Sequence, residues 1–292
     1  MKLVERKHID VKKWNDSISN SDVENVFMYT WYLDSVCSHW CALITEDYKT
    51  ILPIPYTKKL GVRQMIQAPF TREYDVIGDE FNWSEVLTFL ASDFKSIHFR
   101  NQNKGLVISE KVRTHQLLSL KEEFQRLYST NAKRILKKTT EYLIETAKNP
   151  AVVLDLFREN VAHKVDTISK QDLVVLEKLM NAALDLKKGE LLVVKENKEI
   201  VAAGFFLFDK QRVTYLKGAS TDLAKKAGAM YYLMNRAMLR YQSDFTTFDF
   251  GGSDIDKVAE FYHKFGATDR TYYDYSIDDL PFWFKTLKKL KR

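Results

Sequence analysis

Five consecutive residues, Lys225-Lys226-Ala227-Gly228-Ala229, stand where a polar loop meets a stretch of helical apolar period. A helix start offers unpaired N–H groups and a partial positive charge. Two lysines add charge there, and Gly228 lets a ligand approach the backbone, so the junction can hold a phosphate or pyrophosphate. The plainer alternative is a surface turn with solvated lysines. Tyr262 is placed near the start of a helix that follows a strand, Phe245 to Phe250. A phenol in that position can protonate a departing group; otherwise it is a core tyrosine on an amphipathic helix. Asp249 and Asp254 flank Gly251-Gly252 at the carboxyl end of the same strand, the edge where open α/β sheets place ligands. Either can orient an incoming amine or relay its proton. The alternative is a turn contact by Asp249 and a helix cap by Asp254.

A second group is basic. Lys133, Arg134, Lys137 and Lys138 fall at i, i+1, i+4 and i+5 of a helix running to Thr140, with Ser129 or Thr130 as its cap. They crowd one side. That side is a solvated face or a contact for an anionic partner, such as a tRNA backbone or a cell-wall precursor. A net charge of +6 with pI near 9.0 suits a nucleotide-bearing ligand, a tRNA or a membrane surface. Cys37, His39 and Cys41 lie close together without a second pair of ligands, so no metal site is expected. Two cysteines make no disulfide framework.

The elements that position these residues follow from periodicity. Chain length argues for two domains, 1–125 and 126–292. In the first, Asp22 to Cys37 and Asn82 to Ser92 read as helices. Cys41 to Asp47, Thr50 to Tyr56, Ser96 to Phe99 and Leu106 to Ser109 read as strands, with Pro53 and Pro55 restricting the second of them to an edge or a strand end. Helices are expected over Ala151 to His163 and Lys170 to Leu186. Strands then follow over Glu190–Glu196, Glu199–Phe208 and Arg212–Ala219, a helix from Ala227 to Tyr241, a strand over Phe245–Phe250, a helix over Asp256–Phe265 and a strand over Thr271–Ser276. Trp283, Phe284, Leu287 and Leu290 alternate with basic residues in an amphipathic tail, which is expected to dock on the protein's own core. Ile200 to Phe208, the most apolar run, is about half the length of a membrane span. The charged start carries no signal-peptide pattern, and a cytoplasmic location is expected.

The order strand, strand, strand, helix, strand, helix, strand over roughly 188–276 resembles the GNAT-type N-acyltransferases. Lys225 to Ala229 sits where those enzymes keep a Gln/Arg-x-x-Gly-x-Gly/Ala loop for the cofactor pyrophosphate. Phe261-Tyr262-His263-Lys264-Phe265-Gly266-Ala267 is similar to their apolar-Tyr-x-Lys-x-Gly-Phe segment. Gly218-Ala219-Ser220 and Asp249-Phe250-Gly251-Gly252 also resemble the Fem-type aminoacyltransferases, which build peptidoglycan cross-bridges from two such domains in tandem. The resemblance implies an α/β fold of two tandem GNAT-like domains, each a mixed sheet flanked by helices. It implies an N-acyltransferase that moves an acyl group from acyl-coenzyme A, or an aminoacyl group from aminoacyl-tRNA, to an amine. Lys225 replaces the usual Gln or Arg, Met230 the final small residue, and Ala267 the usual Phe. Strand Arg212–Ala219 carries no carboxylate where many of these enzymes place a general base. A non-catalytic protein that keeps the fold and binds an anionic ligand is the reading from a different class.

Overall fold

A computed structural model describes residues 1–290 apart from 23, 80, 108, 161–168 and 253–254, with the side chains of 287–290 outside the description. In chain order the strands are β1 (Lys2–Glu5), β2 (Trp40–Ile44), β3 (Ile51–Lys59), β4 (Val62–Met65), β5 (Ser96–Asn101), β6 (Glu110–Ser119), β7 (Leu143–Ala147), β8 (Gly189–Glu196), β9 (Glu199–Phe208), β10 (Arg212–Ser220), β11 (Thr247–Asp249) and β12 (Thr268–Asp278). The helices are α1 (Val11–Ser19), α2 (Thr30–Val36), α3 (Trp83–Asp93), α4 (Thr130–Leu136), α5 (Ala151–Asn160), α6 (Lys170–Asp185), α7 (Asp222–Ala227), α8 (Ala229–Tyr241), α9 (Asp256–His263) and α10 (Phe282–Leu290).

The chain forms two compact units, Met1–Arg113 with Thr271–Arg292, and Thr114–Arg270. This division differs from the expected boundary at residue 125. Strand pairing is the reason: β12 adds to β5 in antiparallel register from Tyr273↔Asn101 to Asp278↔Ser96, while β6 adds to β11. The first unit therefore completes its sheet with a strand from the C-terminal end of the chain, and the second with the strand that opens its own sequence.

In the first unit the strand order is β1-β2-β3-β4-β5-β12, antiparallel except for β4 beside β5. Pro53 and Pro55 do not put β3 at an edge. Tyr56 N–H donates to His39 on the β2 side, whereas Ile51 N–H donates to Ile77 on the other. The prolines alternate with Ile51, so neither removes a bond to β2. Trp14, Tyr32, Phe94, Phe99 and Tyr275 fill this unit's core. Phe284 of α10 packs with Val62 and Leu280, but Phe282 and Trp283 are exposed.

The second unit has the order β6-β11-β10-β9-β8-β7, again with one parallel pair, β10 and β11. β9 is buried from Ala202 to Leu207, because helices cover both of its faces. α8 lays Leu233, Met234, Ala237, Met238 and Tyr241 on one face. Burial of Leu233, Met234 and Met238 contributes ~1.5–3 kcal/mol each. α5 covers the other face, and α6 begins in a capping box between Ser169 and Asp172.

Candidate active site

The site is built by a failure of pairing. β10 and β11 run parallel for three register pairs, Arg212↔Thr247, Val213↔Phe248 and Thr214↔Asp249. β11 then ends, while β10 continues to Ser220 along β9. A shift of register between Tyr215 and Lys217 leaves Leu216 as a bulge on β10. Among the described residues, the backbone of β10 beyond Thr214 thus has no strand neighbour on the β11 side.

Gly251 and Gly252 turn the chain away at the mouth of this gap, with φ of 81° and 76°. A Cβ on Gly251 would lie 2.6 Å from the carbonyl oxygen of Tyr215, and one on Gly252 would lie 2.8 Å from His115 Cβ. Asp249 is fully buried. It accepts from Gly251 N–H at 2.9 Å and faces the Arg212 guanidinium at 3.4 Å. Its visible contacts hold the turn and neutralise a cation. Asp254 lies outside the described residues.

Tyr262 falls in the last turn of α9, not near its start, because the helix begins at Asp256 and ends at His263. Its ring lies on Phe250, centroid to centroid 4.8 Å. Burial, and then the nearby Asp249 carboxylate, push its phenol above the ordinary tyrosine value. Tyr215 is raised by burial and then by Tyr262, so the two phenols share one environment. The neighbouring His263 bonds Asp269 at 2.9 Å on the half-exposed side of the helix.

The phosphate-loop residues are arranged differently from expectation. Asp222–Ala227 is a helix of its own, capped by Thr221, and places Lys225 and Lys226 in its last turn, both exposed with Ala227. Gly228 adopts φ 97° and starts α8, and Ala229 is buried. A Cβ on Gly228 would come within 2.5 Å of Ile135 Cγ2 and 3.2 Å of Thr139 Cγ2. The space that the glycine opens is filled by α4 and the turn after it. The first intrahelical bond of α8 runs from Tyr232 N–H to Gly228 C=O, which leaves the amides of residues 229–231 as the helix's donor end.

α4 ends at Leu136, four residues before the expected end. Lys133 and Arg134 lie on it, Lys137 caps it and Lys138 follows; all four are exposed. Lys133 donates to the Arg126 carbonyl at 3.0 Å and Arg134 to Asn131 at 3.0 Å. Periodicity concealed three further features of this strand: the bulge at Leu216, the Arg212 partner of Asp249, and the contact of Lys217 with the Phe157 ring. The uninterrupted apolar run of β9 beside β10 signals a central strand, but no local pattern marks where a parallel neighbour stops.

Residues 125–264 match the family described as acetyltransferase (GNAT) domain. A solved structure of FemX superposes with a TM-score of 0.69 over 99% of both chains, at 12% identity. The chain has the Fem-like tandem GNAT fold. A tandem GNAT protein from the clavulanic acid biosynthesis pathway matches this fold with a TM-score of 0.57, at 9% identity over 96% of this chain and 99% of that one. The C-terminal domain of a putative lysylphosphatidylglycerol synthetase from Agrobacterium fabrum does so with 0.57, at 13% identity over 91% and 90%. No curated protein matches the chain in sequence. The family match over residues 125–264 supports an acyl-group transferase in general terms. Among the described residues no group of acidic, histidine or cysteine side chains is placed to hold a metal ion, and no helix is long and apolar enough to cross a membrane.

Proposed function

We propose that the protein is an N-acyltransferase that moves an acyl or aminoacyl group from an activated donor to an amine at the gap between β10 and β11. The parting of those strands after three register pairs carries this reading. It leaves an extended backbone edge that a donor's linear arm can pair with, beside a buried phenol.

Attack of the amine on the donor carbonyl forms the C–N bond and breaks the bond to sulfur or oxygen. The departing anion needs a proton. Tyr262, held protonated by burial and by Asp249, is the donor of that proton. Asp249 shapes the turn through Gly251 and tunes Tyr262. The amides of residues 229–231, with Lys225 and Lys226 nearby, are the candidate contact for a donor phosphate.

Ile135 takes the room that a side chain at Gly228 would need, which narrows the approach of a pyrophosphate on that side of the glycine and favours an aminoacyl ester as a second reading of the donor. On that second reading Lys133, Arg134, Lys137 and Lys138 meet the tRNA backbone. Thermal shift separates the donors. A ligand at about 100 times its dissociation constant adds about 2.7 kcal/mol, so acetyl-coenzyme A or an aminoacyl-tRNA should raise the melting temperature. If neither shifts it, and mass spectrometry finds no acylated amine with either, the acyl-transfer reading fails.

A further inference from the structure

Two tips of the first unit present apolar side chains to solvent. One is the turn between β3 and β4, where Lys59 pairs with Val62 and the chain reverses through Leu60 and Gly61. Leu60 is 65% exposed. It also holds φ at 50°, followed by 80° at Gly61, the two left-handed residues of a tight hairpin turn whose first position favours Asn or Asp. A leucine there is costly twice over, in backbone strain and in apolar surface left in water. The second tip is the start of α10, where Phe282 is 86% exposed and Trp283 48%. Val62, Leu280 and Phe284 pack into one buried cluster, which ties the first turn of α10 to the strand that leaves the hairpin.

The charges around these tips are mainly basic. Lys58 and Lys59 precede Leu60 and are exposed. Lys285 of α10 bonds Asp278 at 3.3 Å, and Asp279 is a further exposed acid ahead of the helix. From Lys285 onward the sequence carries five basic residues, Lys285, Lys288, Lys289, Lys291 and Arg292, and no acidic one. Exposed Trp, Phe and Leu beside lysines suit the boundary between lipid headgroups and acyl chains, where the apolar groups leave water and the lysines meet anionic phosphate. A nucleic acid would engage the lysines and leave Leu60 in water. A second copy of the chain would set lysine against lysine. From this combination we propose that the two tips form a docking surface for an anionic lipid bilayer. Leu60, Phe282 and Trp283 enter the headgroup boundary, and Lys58 and Lys59 contact acidic headgroups. The surface uses no residue of the candidate active site, so its failure would leave the acyl-transfer reading untouched.

The full chain is mixed with vesicles of phosphatidylserine and phosphatidylcholine in equal parts, or of phosphatidylcholine alone, and the bound fraction is read by flotation. Binding should be confined to the anionic vesicles and should weaken as salt rises. Leu60→Asn is the decisive variant, because Asn suits the left-handed turn position and the melting temperature should not fall. It should weaken binding about tenfold, the loss expected when one leucine-sized side chain no longer leaves water. Phe282→Ser should act likewise, and joint replacement Lys58→Gln and Lys59→Gln should reduce the salt dependence. Vesicles brominated on their acyl chains should quench part of the tryptophan emission, and Trp283→Phe should remove that part while keeping vesicle affinity. No binding of wild type to anionic vesicles overturns the proposal, as does equal binding by wild type, Leu60→Asn and Phe282→Ser. A dimer seen by sedimentation without vesicles and dissolved by those two variants would assign the tips to self-association. Loss of a bound tRNA in the same variants would assign them to nucleic acid. Either result overturns the membrane assignment.

Discussion

Tyr262 is a buried phenol, and its usefulness depends on retaining a proton at neutral pH. Desolvation and the neighbouring carboxylate both act in that direction. Tyr262→Phe keeps the ring on Phe250 and removes only the hydroxyl, so turnover should drop by about 10² to 10⁴ while donor affinity stays level. Comparison of kcat between wild type and variant decides it; a change confined to KM would place the hydroxyl in substrate binding. Lys217 yields a prediction about stability. Its folded value lies below its unfolded value of 10.5, so between about 8 and 10.5 the unfolded chain holds more protons, and stability rises with pH across that window. Lys217→Met removes the penalty. Its melting temperature should exceed that of wild type at pH 7, and the advantage should shrink as pH rises from 8 to 10.5. A constant difference across that range would mean that Lys217 is not buried against Phe157 in solution.

At the scale of elements, the α7–α8 junction shows how a motif can keep its residues and change its surroundings. Gly228 is required twice, by a φ of 97° and by Ile135 at 2.5 Å from any Cβ. Gly228→Ala should destabilise the protein by more than ~1 kcal/mol, measured by denaturant titration. Pairing it with Ile135→Ala should recover the steric part and leave the conformational part. If the single variant is neutral, α4 does not close that junction. The cap of α7 offers a smaller change: Thr221 accepts from Ala224 N–H, and Thr221→Ala should cost about 1 kcal/mol.

At the scale of the whole molecule, the first unit is closed by the C-terminal end of the chain. Phe99 on β5 stacks on Tyr275 of β12 at 5.2 Å and on Trp83 of α3 at 5.0 Å. Deleting Thr271–Arg292 would turn β5 into an edge and leave Phe99 with one aromatic neighbour fewer. Limited proteolysis should then cut within Met1–Arg113 much faster than within Thr114–Arg270. Equal protection of both would show that the first unit folds without its C-terminal strand.

Much of this architecture was legible in the amino-acid order. β9 was readable to the residue, since a run apolar enough for burial on both faces admits few alternatives, and α6 and α8 followed from helical period. The placement of Asp249 before two glycines at a strand end was readable, whereas Tyr262, expected near the start of its helix, stands in the last turn. β4, β6 and β7 were not readable, because short or half-exposed strands draw their stability from partners remote in sequence. Only the tertiary structure decided that β12 completes the first unit, that β11 leaves β10 after Thr214, and that the room made by Gly228 belongs to Ile135. It also decided that Lys217 meets the Phe157 ring. Composition and spacing report which faces must be buried; what covers each face is set by pairing between segments up to about 180 residues apart, and that pairing leaves no local trace.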